Sequence, residues 1–189
     1  MSNKLFTQPY SFFGITFLVI FLDQLSKTII FHSLFLGQSI PVLDEFFKIT
    51  YILNPGGAFG TKLGGNNLYT LLSLIAIVLT FIFFFQAKKD QVLIKTGLAL
   101  ILGGAIGNLI DRFRFGQVVD FLDFDFFNIS LPEFKLGFIN FPGFHLDRWP
   151  VFNIADSSVT CGAILIILQM ILTPKKTPET AVENVRPQI

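Results

Sequence analysis

Four long runs of apolar residues constrain the fold of this chain more than any other feature of its sequence. They lie at about residues 12–31, 68–86, 92–110 and 152–172, and a helix that crosses a bilayer needs about 20 mainly apolar residues. Hydrophobic residues make up 52% of the chain and charged residues only 14%, against roughly 25% charged in an average soluble domain. The sequence therefore predicts an all-α membrane bundle of four transmembrane helices.

The distribution of basic residues predicts how these helices are oriented. Lys88, Lys89 and Lys95 lie in or beside the short connection between the second and third runs, and short cytoplasmic loops are enriched in lysine and arginine. We therefore expect both termini on the cytoplasmic side. The first run is expected to be retained as a helix, because no small-x-small cleavage site follows Leu22.

A single integral membrane domain is expected over residues 1–173, with outer segments at 32–67 and 113–151. In the first outer segment, apolar and polar residues alternate over residues 47–51, which is the period of a strand. A small extracytoplasmic β element is therefore predicted beside the helices. The polar, proline-containing tail 174–189 is expected to be disordered.

The charge balance and the cysteine count exclude several other classes of protein. A formal net charge of +1 gives no basic footprint, so no nucleic-acid partner is expected. The single cysteine, Cys161, allows neither an intramolecular disulfide nor a zinc site with several cysteines. It lies in an apolar run and is expected to be a packed thiol. No metal or cofactor is expected.

Polar and ionisable residues from four parts of the chain fall at the predicted outer membrane boundary. They are Asp23, Lys27, Asn54, Asn108, Asp111, Arg112, Asp120, Asn153 and Asp156. A carboxylate near hydrocarbon costs free energy unless it is paired, hydrated or functional. Gly116 is a predicted helix stop, after which the run QVVDF can extend and return Asp120 to the bundle. The outer boundary is therefore the candidate site.

Asp120 and Asp156 are the candidates for a catalytic pair. Two carboxylates that lie together share one proton, and aspartic proteases use that arrangement to supply an acid and a base at the same pH. Spacing alone leaves a second class open, a small proton-coupled transporter or channel with carboxylates as a relay. A relay predicts ionisable groups spread across the membrane depth, whereas here they cluster at one face. A structural scaffold would leave the aspartates unexplained.

The other polar residues also have structural interpretations. Asp23 and Lys27 are four positions apart on a predicted helix and are expected to form a structural ion pair. Asp111 and Arg112 are adjacent, so they are expected to serve different partners, with Arg112 positioning or binding a carboxylate. Asn108 is interpreted equally well as a helix-packing residue. Simple solvated charges are expected in the second outer segment at Asp123, Asp125, Glu133 and Asp147.

Two of these blocks, GNLIDRFRFGQVVDF at 107–121 and FNIAD at 152–156, closely resemble motifs of the signal peptidase II family. These are the membrane aspartic peptidases of bacterial lipoprotein maturation. DQLSK at 23–27 resembles that family's Asp-Gln-x-Thr-Lys, with serine in place of threonine. NPGGAFG at 54–60 resembles Asn-x-Gly-Ala-Ala-Phe, with one glycine in place of an alanine. The segment between the two closest blocks, residues 122–151, is longer than expected of the family.

The resemblance implies four transmembrane helices with cytoplasmic termini in the bacterial inner membrane, and an active site near the outer face. By position, it makes Asp120 and Asp156 the catalytic dyad. It also implies substrate-binding or supporting roles for Asn54, Gly56, Asn108, Asp111, Arg112, Asn153, Asp23 and Lys27.

The implied reaction is removal of the signal peptide from diacylglyceryl-modified prolipoproteins, with cleavage before the lipidated cysteine and without a metal or cofactor. The expected partners are these substrates and membrane lipid, and the expected state is a monomer.

Overall fold

A computed structural model of the chain describes residues 9–56, 65–88, 90–125, 129–146 and 148–173. Its helices are α1 (Pro9–Ser33), α2 (Gly65–Gln86), α3 (Val92–Phe115) and α4 (Ile154–Leu172). Its strands are β1 (Ser39–Leu43), β2 (Phe47–Asn54), β3 (Val118–Phe124), β4 (Ile129–Leu131), β5 (Phe134–Leu136), β6 (Ile139–Phe141) and β7 (Phe144–Leu146). All four helices are long and apolar enough to cross a membrane, which confirms the predicted bundle. The tail 174–189, predicted to be disordered, lies outside the described residues.

Helix α3 is the centre of the bundle and packs against the other three helices. Glycines permit this close packing. A Cβ atom added at Gly97 would lie 2.6 Å from the carbonyl oxygen of Gly162 on α4, and one added at Gly103 would lie 2.6 Å from Val19 Cβ on α1. Such distances exclude any side chain, so the small residues of α3 fix how closely α1 and α4 approach.

A three-stranded antiparallel sheet, in the order β1-β2-β3, lies at one end of the bundle. Gly116 ends α3 in the left-handed conformation, with φ +69°, and β3 begins directly afterwards. Both the predicted helix stop and the predicted extended run are therefore confirmed. Asp120 on β3 pairs in register with Ile52 on β2. Val119 is buried against Leu34 and Tyr51, which fastens the sheet to the end of α1.

Between β3 and α4 the chain forms a hairpin extension, defined here as residues 129–146. Strand β4 pairs with β7 and β5 pairs with β6, both antiparallel, so the two pairs form one nested excursion. Its tip is apolar and exposed, with Phe138 98% accessible. The extension accounts for the length of chain that separates the two closest family motifs, and its form could not be predicted from the sequence.

Candidate active site

A buried cluster of charge on α1 and α3 forms the base of the site. Lys27 Nζ lies 2.9 Å from Asp23 Oδ2 and 2.9 Å from Asp111 Oδ2, and it donates to Asn108 Oδ1 at 2.9 Å. The predicted pair of Asp23 with Lys27 is therefore confirmed. The structure adds Asp111 as a second carboxylate on the same ammonium, so one cation compensates two buried anions.

This cluster also bonds to the backbone beside each candidate catalytic aspartate. Asp111 Oδ2 accepts from the amide of Val119, one position before Asp120, at 3.1 Å. Asp23 Oδ1 accepts from the amide of Ala155, one position before Asp156, at 2.9 Å. The charged base therefore holds β3 and the first turn of α4 together, and each bond to a charged acceptor is worth about 1.5–3 kcal/mol.

Gln24 completes this base and was missed as a site residue by the sequence analysis. Its Nε2 lies 3.1 Å from each of three oxygens, Asp23 Oδ2, Asp111 Oδ1 and the carbonyl of Gly107. A Cβ at Gly107 would lie 2.5 Å from Asp23 Oδ2, so glycine leaves the space that this carboxylate occupies. The only available signal was that Gln24 lies inside the DQLSK motif.

Asp120 is 1% exposed and points into the junction of β3 with α4. Its Oδ2 accepts from Asn54 Nδ2 at 2.9 Å and its Oδ1 from Asn153 Nδ2 at 2.6 Å. Among the described residues, no cation lies within ion-pairing distance of this carboxyl group. Burial, and after it the charge of Asp156, raises the pKa of Asp120 to about 7.

Asp156 opens α4 and is half-buried. Asn153 caps the helix, since its side chain accepts from the Asp156 amide at 2.9 Å while Asp156 Oδ2 accepts from the Asn153 amide at 3.3 Å. Asn108 Nδ2 donates to Asp156 Oδ1 at 2.8 Å. Asn153 therefore contacts both Asp120 and Asp156, and the structure brings the two predicted aspartates together at one asparagine.

Asn54, Gly56 and Arg112 lie on another side of the same site. Asn54 Oδ1 accepts from the Gly56 amide at 3.0 Å, and any Cβ at Gly56 would collide with the ring of Tyr69. Arg112 Nη1 donates to Ser73 Oγ at 3.3 Å, and its guanidinium lies 6.0 Å from the Tyr69 ring centroid. Arg112 and its neighbour on α3 thus serve different partners, as predicted. The rest of the NPGGAFG motif, residues 57–60, lies outside the described residues.

These groups face a cavity of about 930 Å³. Most of its wall is apolar, and its polar or charged lining includes Asn54, Asn108, Arg112, Asp120 and Asp156. Such a combination is typical of a binding site for a largely apolar ligand with a few orienting polar groups. Cys161 also lines the cavity and is exposed. The expectation of a packed thiol was therefore wrong, because its position on α4 faces the cavity and not a neighbouring helix.

The predicted solvation of Asp123 was also wrong. Asp123 is only 7% exposed, and it accepts from Arg148 Nε at 3.0 Å and from Thr50 Oγ1 at 2.6 Å. Arg148 also reaches Asp125, and no motif or spacing in the sequence marks it. Glu133 is exposed as predicted, and Asp147 lies outside the described residues.

Comparison with known proteins gives one consistent result. The family model described as signal peptidase (SPase) II matches residues 15–172. A lipoprotein signal peptidase of Desulforapulum autotrophicum is 40% identical over 168 residues, which cover 86% of this chain and 91% of that protein. A lipoprotein signal peptidase of Bacillus pumilus is 40% identical over 171 residues, covering 89% and 97%.

A solved structure described as a bacterial membrane enzyme, determined by the in meso method, has a TM-score of 0.71 and 31% sequence identity to this chain. The alignment covers 94% of this chain and 96% of that one. None of these matches supports the alternative of a transporter. The chain therefore belongs to the signal peptidase II family and is a multi-pass bacterial membrane peptidase.

Proposed function

We propose that Asp120 and Asp156 are the catalytic dyad of this peptidase and that they cut prolipoproteins before the diacylglyceryl-modified cysteine. The observation that carries this proposal is the shared asparagine. Asn153 Nδ2 donates to Asp120, and the same residue forms a reciprocal capping box with Asp156. Two carboxyl groups held in this way beside a cavity, with amides rather than cations as their hydrogen-bond donors, are suited to share one proton.

The reaction follows from the different surroundings of the two carboxyl groups. We assign the shared proton to Asp120 at rest, because it is the more buried of the two and its pKa is raised to about 7. Asp156, half-buried at the cavity wall, acts as the general base that draws a proton from the attacking water. Asp120 donates its hydrogen bond to the scissile carbonyl oxygen. After addition, the proton that Asp156 holds passes to the leaving amine.

The cavity suits a substrate with an apolar, extended segment and lipid chains. Its wall includes Ile52, Leu53 and Asn54 at the end of β2, where an extended signal-peptide segment can add backbone hydrogen bonds. Arg112 also lines this cavity, and we propose that its guanidinium orients the substrate or the ionised dyad. The acyl chains of the substrate remain in membrane lipid while its cleavage site reaches the dyad.

The orientation proposed is an active site near the outer face of the inner membrane, with both termini cytoplasmic. Four spanning helices return the chain to the side on which it started. Lys88 and Lys95 lie at the end of the bundle opposite the sheet, which is the cytoplasmic end under the bias of lysine and arginine for that side. We further propose a monomer, since one chain supplies every site residue described above. Lys88→Cys and Phe134→Cys, each combined with Cys161→Ser because the native thiol is exposed, test the orientation: an impermeant thiol reagent added from the outer side should label residue 134 and not residue 88.

The direct test is cleavage of a diacylglyceryl-modified precursor by purified Asp120→Asn and Asp156→Asn variants. Each is expected to lose at least about 10³-fold in turnover, since each removes an acid or base that acts in the transition state. Glu133→Gln is the matched control. It removes an exposed carboxylate from the extension that separates the two aspartates, and it is expected to keep the rate of the unmodified enzyme.

Precursor binding and the thermal transition of each variant are measured in parallel, because a catalytic role predicts that both survive. If either Asp→Asn variant keeps turnover within about threefold of the unmodified enzyme, that residue is not part of the dyad. A variant that loses turnover only together with its fold contradicts the catalytic assignment as well.

A further inference from the structure

Arg148 joins three separate parts of the extramembrane structure through one guanidinium. Its Nε donates to Asp123 Oδ1 on β3 at 3.0 Å, and its Nη1 donates to the Glu45 carbonyl in the β1–β2 turn at 2.9 Å. Nη1 also lies 3.3 Å from Asp125 Oδ2. A planar guanidinium can hold several acceptors in one fixed geometry, which a lysine cannot do. We call these contacts the Arg148 latch.

The latch lies at the start of the segment that leads into α4. Directly after Arg148, the Trp149 amide donates to the Phe124 carbonyl at 3.2 Å. Phe152 then pairs with Leu122, with hydrogen bonds of 2.7 and 3.1 Å in the two directions. Residues 148–152 therefore run beside β3 like a short further strand. The next residue is Asn153, whose side chain holds Asp120, so the register of this segment sets the position of the dyad.

The latch also closes the base of the hairpin extension. Asp125 directly follows β3, Arg148 lies on the far side of the extension, and the Arg148–Asp125 contact joins these two points. The extension pairs with itself in β4–β7 and β5–β6. An excursion of this length between two catalytic residues permits the returning segment to slide along β3 unless it is fixed where it returns.

The surroundings of Asp123 distinguish the latch from an ordinary surface ion pair, which contributes little to stability because solvent screens it. Asp123 is 7% exposed, and Thr50 Oγ1 on β2 donates to its second oxygen at 2.6 Å. Loss of the guanidinium would leave a buried carboxylate without its cation. We expect the segment at 148–152 to move away from β3, so that water can solvate the carboxylate of Asp123.

We propose that Arg148 is a positioning residue of the active site: its guanidinium holds the segment at 148–152 against β3 and so fixes Asn153 and Asp156 relative to Asp120. The inference rests on the proposed function of the dyad and deepens it. Arg148 itself does not touch the substrate. Its effect is on the alignment of the two carboxyl groups, and a misplacement of about 1 Å can cost about 10²-fold in rate.

The test compares Arg148→Gln, Arg148→Lys and Glu45→Gln in cleavage of a lipid-modified precursor, with kcat and KM determined separately. Arg148→Gln is expected to lower kcat by about 10–100-fold and to change KM by less than about threefold. Arg148→Lys can keep the contact with Asp123 and is expected to recover part of kcat. Glu45→Gln is the matched control, because it removes the exposed Lys48–Glu45 ion pair from the same sheet and leaves the latch bonds in place.

A second comparison separates positioning from general stability. If Arg148 acts through Asp123, then Asp123→Asn combined with Arg148→Gln lowers kcat no further than Arg148→Gln does alone. Full kcat in Arg148→Gln overturns the proposal. So does a loss of activity that follows the unfolded fraction and disappears at a lower assay temperature, and so do additive effects in the double variant.

The Asp120→Asn variant in the same assay keeps this result independent of the dyad itself. If Asp120→Asn still cleaves the precursor, the proposed function has failed. If Asp120→Asn is inactive while Arg148→Gln keeps full kcat, only the positioning role has failed.

Discussion

Asp120 and Asp123 lie on the same strand, 1% and 7% exposed respectively, but the charges of their neighbours differ. Asp123 accepts from the guanidinium of Arg148 and from a hydroxyl group. Asp120 accepts from two neutral amides, those of Asn54 and Asn153. A cation stabilises the ionised form of a carboxyl group, whereas burial with neutral donors leaves the protonated form accessible near neutral pH. Burial therefore acts together with the presence or absence of a paired cation in setting which form of a carboxyl group is favoured.

The buried carboxylates of the helices follow the pattern of Asp123. Asp23 and Asp111 both contact the ammonium of Lys27, and both use a second oxygen to accept a backbone amide or a glutamine. These compensated carboxylates hold elements together. Asp120 differs from them: no cation among the described residues pairs with it, and it lines the same cavity as Asp156. The difference between compensated and uncompensated carboxylates is the physical basis of the assignment of catalysis.

Among the predictions that follow from this difference between the carboxylates, the largest expected effect is the pH dependence of turnover. Because the pKa of Asp120 is raised to about 7 by burial and by the charge of Asp156, the pair loses its shared proton above that pH and has no acid for the carbonyl. We expect kcat to fall about tenfold per pH unit there, and so about 100-fold between pH 7 and pH 9.

The charged groups that bear on this titration are Asp156 on α4, Lys27 on α1 and Arg112 on α3. Measurement of kcat from pH 4 to pH 10 in the unmodified enzyme and in Asp123→Asn checks the prediction. The variant should be slower but keep its alkaline limb near pH 7, since Asp123 belongs to the latch and not to the dyad. A flat profile over this range contradicts the shared proton.

The same raised pKa has a consequence for stability. Between pH 4 and about pH 7 the folded protein retains a proton on Asp120 that the unfolded chain has released. The bound proton on Asp120 therefore contributes less to the free energy of unfolding as the pH rises from 4 to about 7. This is the opposite of the behaviour expected for a carboxylate stabilised by a cation.

Some features of the fold and of the site could be predicted from the sequence, and others could not. Helices, the stop at Gly116 and the pairing of Asp23 with Lys27 follow from local periodicity and spacing, which a single sequence displays. The compensation of Asp123 by Arg148 does not, because it depends on the return of a long extension to β3. The contact of Asp111 with Lys27 could not be predicted either, since it depends on the packing of α3 on α1.

Gln24 is an instructive intermediate case. It is adjacent to Asp23 in the DQLSK motif, but the predicted site residues of that motif were only its two charged ends. Its role depends on three acceptors from two helices, and helix phase alone could not predict that convergence. The residues easiest to predict were those whose partners lie a fixed number of positions away.

A smaller effect is expected when a cation is placed beside Asp120, as Arg148 lies beside Asp123. Asn54→Lys replaces a neutral donor to Asp120 with an ammonium at the cavity wall. A cation within a few ångströms lowers a carboxyl pKa, so the alkaline limb should move by about one pH unit or more to the acid side. Turnover at pH 7 should then fall about tenfold.

Asn54→Ala is the matched control for that variant, since it removes the same hydrogen bond without adding charge. The loss of a donor to the carboxylate moves the alkaline limb in the opposite direction, to higher pH. The pH profiles of both variants check the sign. If the two limbs move in the same direction, the donors to Asp120 do not set its protonation.

The smallest effect is expected at the compensated carboxylate, when only its hydroxyl donor is removed. Thr50→Val keeps the shape of the side chain but takes away the bond from Oγ1 to Asp123 Oδ2. Because Arg148 remains on the other oxygen, the free energy of unfolding should fall by about 1 kcal/mol, and kcat should change less than about twofold. Thermal unfolding in detergent and the cleavage assay measure the two quantities. Ser39→Ala, which removes the exposed hydroxyl partner of Thr50, should change stability less. A loss of kcat as large as that expected for Arg148→Gln would mean that the hydroxyl, and not the guanidinium, holds Asp123 and the segment beside it.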